Sequence, residues 1–235
     1  MLADTVRFSW VDGPGNRYVL FLQGCNFNCT ACHNPHTIPL VTHRARLVNV
    51  ADVLAELRPL HHFLSGITVS GGEATLQHRF VHDLFLAVKS EAELAHLTTF
   101  LDTNGSAPVS TWDLLLPVTD GAMVDLKALD PDLHIALTDS PNDDVKLSIQ
   151  RLAEAGKLHE VRLLLVPGVN DTDDQLRRTA NWLLSVDPAM RIKVIGFRGH
   201  GVRASARHWP EATAERRREW QSVLRQAGVR RLDLV

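Results

Sequence analysis

The chain contains three cysteines, Cys25, Cys29 and Cys32, and all of them lie in the stretch Cys25-Asn-Phe-Asn-Cys29-Thr-Ala-Cys32-His33-Asn34, spaced C-x3-C-x2-C. Thiolates are soft ligands that suit iron–sulfur clusters and zinc, and a loop this short can bring three sulfurs onto one inorganic centre. Three ligands fall one short of a closed tetrahedral set, so a four-iron cubane held here keeps one iron open to a substrate. The same residues admit two other readings. A structural zinc would take its fourth ligand from His33 or His36. Cys29-Thr-Ala-Cys32-His33 also has the C-x-x-C-H form of covalent haem attachment, which belongs in exported chains and leaves Cys25 without a role.

The rest of the chain bounds these choices. Its 235 residues suffice for one sizeable core and fall within the range of α/β barrels. With 45% apolar and 22% charged residues it has the balance of a globular protein. Lys+Arg 25 against Asp+Glu 27 leaves −2, so no global field favours nucleic acid or an anionic membrane. The start, Met1 to Arg7, lacks the apolar core of a secretory signal, and no apolar run approaches the roughly 18 residues of a membrane span. The expectation is a cytoplasmic protein with reduced thiols, where clustered cysteines bind metal or act in catalysis.

The elements that must position the cysteines read as alternating strands and helices. Tyr18 to Leu22 is a continuous apolar run, a buried strand that delivers the chain into the cysteine loop. Further strands are predicted at 67–70, 97–101, 121–126, 161–166 and 192–197, with a last one at 232–235. Helices are predicted at 49–60 with Asn49 as cap, 76–89, 111–116, 142–155 with Gly156 as stop, 171–184 and 212–227. The segment Phe8 to Arg17 reads as turn, because of Asp12-Gly-Pro-Gly15. With no repeat or linker, this predicts one parallel α/β domain over 1–235 with about six β/α units. Polar clusters recur just after the strands, where α/β barrels build their sites.

Among those clusters, Gly71-Gly72-Glu73 offers glycines that let backbone approach a ligand and a carboxylate that can accept from an ammonium. The plainer account is a strand-to-helix turn whose Glu satisfies the helix N-terminus. Asp102 and Asp125 follow consecutive strands, as ordinary loop-capping aspartates also do. His78 and His82 stand four apart on a helix, a spacing that serves zinc but more often just a polar face. Arg216-Arg217-Arg218 with Arg225 could meet an acidic surface, although Glu211, Glu215 and Glu219 among them favour a solvated helix with i,i+4 pairs.

Taken together, Cys25-x3-Cys29-x2-Cys32 and the downstream Gly-Gly-Glu resemble the radical S-adenosylmethionine (SAM) superfamily. Asp12-Gly-Pro-Gly-x-Arg17, Gln23-Gly-Cys25, Cys32-His-Asn34 and Ser70-Gly-Gly-Glu-Ala74 narrow the resemblance to its glycyl-radical-enzyme activases. The likeness continues through Asp102-Thr-Asn-Gly105, Asp125-Leu-Lys127, Val166-Pro-Gly168 and Gly196-Phe-Arg-Gly-His200, over nearly the whole chain. It implies a partial (β/α)6 barrel of parallel strands and one 4Fe–4S cluster on the loop 24–36, whose open iron chelates SAM. One-electron cleavage of SAM then releases methionine and a 5′-deoxyadenosyl radical, which abstracts a hydrogen from the Cα of a glycine in a partner enzyme. An electron donor of flavodoxin or ferredoxin type and an anaerobic setting belong to the same picture.

Residue by residue, the resemblance places Gly71, Gly72 and Glu73 at the amino group of SAM. Lys127, His200 and Arg162 match positions that touch it, and Asp102, Thr103, Met123 and Asp125 match a monovalent cation site beside its carboxylate. The residue before the last cysteine, usually an aromatic that shelters the adenine, is Ala31 here, with His33 or its backbone the nearest substitute; Ala31, Cys32 and His33 are the positions matched to the cofactor there. Pro35 to Val50 carries no cysteine-rich ferredoxin-like insert, which leaves a single cluster. The rival expectations are a radical SAM enzyme acting on a small molecule, in a reduced barrel like that of deazaguanine-forming synthases, and a zinc or haem protein without radical chemistry.

Overall fold

A computed structural model describes residues 1–235 and resolves them into two compact units. The first comprises Met1–Asn26, His36–Thr103 and Ala107–Met123; the second comprises Phe27–Pro35, Asn104–Ser106 and Val124–Val235. The elements of the first unit are strands β1 (Leu2–Ser9), β2 (Arg17–Leu22), β3 (Gly66–Gly71), β4 (Thr98–Thr103) and most of β5 (Gly121–Asp125), with helices α1 (Val50–Leu57), α2 (His78–Ser90) and α3 (Val109–Leu115). Those of the second are α4 (Pro131–Thr138), α5 (Asp143–Glu154), β6 (Leu158–Leu165), α6 (Asp173–Val186), β7 (Arg191–Gly196), α7 (Ala214–Gln226) and β8 (Arg231–Leu234). The strands follow chain order from β1 to β8 in one open sheet. From β2 onward each strand is followed by helix before the next, giving the six β/α steps of a partial barrel with parallel ladders such as β2–β3 and β6–β7.

In the first unit β2 is buried almost throughout, as a parallel strand covered on both faces must be. Val81, Leu84, Phe85 and Val88 form the buried stripe of α2. Asn49 caps α1 through a reciprocal pair of bonds with Asp52, so the cap read from the sequence forms as a capping box. That helix is shorter than its periodicity suggests: it ends at Leu57, and His61–Phe63 forms a separate 3-10 turn. Likewise α2 begins at His78, after a 3-10 turn over Ala74–Gln77.

Two elements were not expected. The first is β1, which pairs antiparallel with β2 and is interrupted by two irregularities, so not every strand is parallel. Its side chains give no clear alternation of buried and exposed residues, since Val6 and Phe8 are exposed. The second is α4, whose buried residues are His134, Leu137 and Thr138, so two polar residues stand where an apolar stripe would announce a helix. Its ends do carry signals: Asp130 accepts from Leu133 N as N-cap, and Pro131 occupies the first turn. No helix of the chain is long and apolar enough to cross a membrane.

Candidate cofactor site

In the first unit, β2 runs into Gln23, Gly24 and Cys25. Gly24 N donates to Thr37 O (2.8 Å) and Cys25 N to Ile38 O (3.0 Å), while Gln23 Nε2 reaches the carbonyls of His36 and Pro39. The turn after β3 packs directly on this segment: Gly72 N donates to Leu22 O (2.9 Å) and Glu73 N to Gly24 O (2.8 Å). A Cβ on Gly72 would lie 2.2 Å from Gly24 O, and one on Gly71 would lie 2.2 Å from the Leu22 backbone. The close approach that these glycines permit is therefore to the strand leading into Cys25, a contact that the sequence did not disclose.

Glu73 is 1% exposed. Its Oε1 accepts from Thr75 N (2.8 Å), Thr75 Oγ1 (2.5 Å) and Thr103 Oγ1 (2.7 Å). The capping role weighed for it is thus realised, on a 3-10 turn, and the Thr103 hydroxyl ties it to the end of β4. Asp102, also on β4, accepts from Ser70 Oγ at 2.8 Å. Met123 is fully buried on β5.

In the second unit, Cys29 and Ala31 line a small cavity of about 20 Å³, room for little more than a water molecule, with Lys127, Leu137, Leu164, Val166 and Asn170. Lys127 Nζ donates to Asp125 Oδ2 at 2.7 Å. Burial pulls the Lys127 ammonium toward neutrality, but Asp125 and the sulfurs of Cys29 and Cys32 outweigh it and hold its pKa above the ordinary value. Burial pushes both thiols upward, with Lys127 opposing. Asn170, which sequence reasoning missed, is the joint of this wall. Its Nδ2 donates to Lys127 O (3.0 Å) and Leu164 O (2.8 Å), and its Oδ1 accepts from Val166 N (2.7 Å).

Ala31 sits in a buried cluster with Val166, Phe197, Val202 and Ala206. His33 Nε2 bonds Arg198 O at 3.0 Å, so that nitrogen carries the proton, and the ring lies 6.2 Å from that of Phe197. His33 is thereby engaged with the segment after β7 through one of its two ring nitrogens. His200 is exposed in the same segment. Arg162 is 8% exposed on β6 and donates to Glu160 at 2.8 Å.

The remaining candidates are polar surface. His78 Nδ1 bonds Thr75 O and His82 Nδ1 bonds Asp83, one bond each with separate partners. Arg216 is a tie, bound to Asp171 at 2.7 Å and to Glu219, and Trp220 Nε1 reaches the same Asp171 carboxylate.

The pattern of the radical SAM superfamily matches residues 19–183. The chain is 34% identical over 206 residues to the pyruvate formate-lyase-activating enzyme of Streptococcus mutans, covering 86% of this chain and 78% of that protein. It is 36% identical over 195 residues to the pyruvate formate-lyase 1-activating enzyme of Escherichia coli, covering 80% and 76%. The chain belongs to the radical SAM superfamily, in the family of glycyl-radical-enzyme activating enzymes. A putative glycyl-radical enzyme activating enzyme of Haemophilus influenzae is 33% identical over 222 residues, covering 86% of this chain and 83% of that one. Among solved structures, a domain of pyruvate-formate lyase-activating enzyme from Bacteroides vulgatus superposes with a TM-score of 0.60 at 23% identity, over 73% of this chain and 99% of that one. A radical SAM methyltransferase from Sphaerobacter thermophilus gives 0.69 at 20% identity, over 93% and 66%. These two likenesses concern the fold alone. The activating enzymes are SAM-using oxidoreductases, the radical SAM family carries a 4Fe–4S cluster, and Cys25, Cys29 and Cys32 fit its C-x3-C-x2-C motif. The donor set suits that group: no disulfide consumes a thiol, and the Lys127 ammonium beside Cys29 and Cys32 offsets the negative charge that thiolates bring.

Proposed function

We propose that this protein activates a glycyl-radical enzyme by removing a hydrogen atom from the Cα of one glycine in that partner. The observation that carries the reading is the 34% identity over 206 residues with a pyruvate formate-lyase-activating enzyme, with all three motif cysteines in place. Cys25, Cys29 and Cys32 hold three irons of the cluster. When bound, cluster and SAM supply the one-electron cleavage of the sulfonium that makes hydrogen abstraction feasible.

The chain's own residues bind and orient. Glu73, already anchored by Thr75 and Thr103, accepts from the ammonium of SAM, with Gly71 and Gly72 shaping the backbone beside it. Lys127, Arg162 and His200 contact SAM, and Ala31, Cys32 and His33 lie along its adenine. Asp102 and Asp125, with backbone oxygens of Thr103 and Met123, serve a monovalent cation. The apolar lining around Cys29 (Leu137, Leu164 and Val166) keeps water from the reacting centre. The chain works as a single radical SAM domain in an anaerobic cytoplasm, and its electron comes from a flavodoxin- or ferredoxin-type donor.

The test uses anaerobically reconstituted protein, SAM, dithionite and a glycyl-radical enzyme carrying Cα-deuterated glycine. One deuterium should appear in the 5′-deoxyadenosine formed. SAM cleavage without deuterium transfer, coupled instead to turnover of a small molecule, would overturn the reading.

A further inference from the structure

The cysteine loop is fastened to the C-terminal end of α4. A helix ends with carbonyls that have no partner within it. Here two of them are taken by the loop: Asn28 N donates to Thr138 O (2.9 Å) and Thr30 N to Leu137 O (3.0 Å). These two rungs bracket Cys29. Phe27, 3% exposed, packs edge-on against the buried His134 ring, with centroids 5.6 Å apart. The last turn of α4 is itself rigid, since Ser140 O accepts from His134 Nδ1 (2.9 Å) and from Thr138 Oγ1 (3.1 Å).

One further bond explains an oddity at the end of this helix. Asp139, the C-cap of α4, has φ 59° and ψ 25°, and it is the only residue other than glycine with positive φ. Glycine is the usual choice for a left-handed helix end, because a side chain there is strained. Asp139 carries a side chain all the same, and its Oδ2 accepts from Asn28 Nδ2 at 2.5 Å. Both residues are exposed, so burial does not account for the pairing.

We infer that Asn28 and Asp139 form a latch that holds the loop on α4 and thereby fixes Cys29 for iron binding. Both act as positioning residues, not ligands. The inference rests on the reading of Cys29 as an iron ligand given above.

The test compares Asp139→Gly, Asp139→Asn, Asn28→Ala and the Asn28→Ala/Asp139→Gly pair in the full-length chain, before and after anaerobic reconstitution. Hydrogen exchange at the amides of Asn28 and Thr30 should rise about five- to tenfold in Asp139→Gly. Release of iron to a chelator from the reconstituted protein should accelerate in step. The melting temperature should not fall, because glycine relieves the left-handed strain. Asn28→Ala, which leaves the α4 backbone untouched, should match Asp139→Gly, and the double variant should add nothing further. Asp139→Asn keeps an acceptor oxygen and tolerates the conformation, so it should behave as wild type. Wild-type exchange and iron release in both Asp139→Gly and Asn28→Ala would overturn the latch. Faster exchange with unchanged iron release would also overturn it, since the loop would then be tied for folding alone. Exchange needs no radical chemistry, so loss of the proposed activity and loss of the latch are separate outcomes.

Discussion

Glu73 receives three donors through one oxygen, so Glu73→Gln can keep every one of those bonds while losing the charge. The expected result is full iron content and an affinity for SAM lowered at least about tenfold, the scale of a lost charge-assisted bond. Isothermal titration on the reconstituted protein measures it, and unchanged affinity would remove Glu73 from the site. Cys29→Ala should lose the cluster outright, as iron and sulfide analysis would show; full iron content would end its assignment as a ligand. Arg17 makes a different point about the same family motif. It is fully buried at the start of β2 and bonds Thr68, Pro14 O, Thr98, Thr98 O and Ile67 O, with its guanidinium 4.4 Å above the Phe100 ring. None of those partners is a carboxylate, and burial lowers its pKa to about 10 against the pull of Asp120. Arg17→Met should therefore cost about 2 kcal/mol or more in chemical denaturation, because it takes the donors from three carbonyls, of which that of Ile67 is buried.

Asp120 joins three elements just before β5. Lys89 in the last turn of α2 donates to both of its oxygens, at 2.8 and 2.7 Å, and Thr99 N on β4 donates at 2.8 Å. Burial pushes its carboxyl upward, but the bonds from Lys89 and Thr99 prevail, and the pKa lies below the ordinary carboxylate value. A depressed acid stabilises the fold fully above its unfolded pKa, about 4, and loses that contribution as pH falls through the folded value. Asp120→Asn should thus be less stable than wild type at neutral pH, with the gap closing below about pH 4. Denaturation curves at pH 7 and pH 3.5 decide it; a constant gap would deny Asp120 this role. At this scale the sequence was legible where an apolar stripe recurs at helical spacing, as in α2 and α5, where acidic residues open a helix, as in α6, and at the Asn49 cap of α1. It failed at α4, where His134 and Thr138 are buried through hydrogen bonds to Ser140 and leave no apolar stripe. It failed also at β1, where exposed Val6 and Phe8 hide the pleat.

Across the molecule, the residues proposed for the site follow the strands: Cys25 after β2, Glu73 after β3, Asp102 and Thr103 at the end of β4, Asp125 and Lys127 at and after β5. Spacing alone exposed the cysteines, since a cluster ligand set is local in sequence. Asn170 and the Thr103 hydroxyl were hidden because each earns its place through bonds to residues tens of positions away. The partner is hidden for a related reason, since a glycine-bearing loop is recognised by a surface and not by a motif. The measurement that bears most directly on the whole account is the electron paramagnetic resonance spectrum of a glycyl-radical enzyme after anaerobic incubation with this protein, SAM and a reductant. The account predicts an organic doublet whose splitting collapses when the glycine is deuterated at Cα. Reduction and SAM cleavage with no such signal on the partner would contradict it.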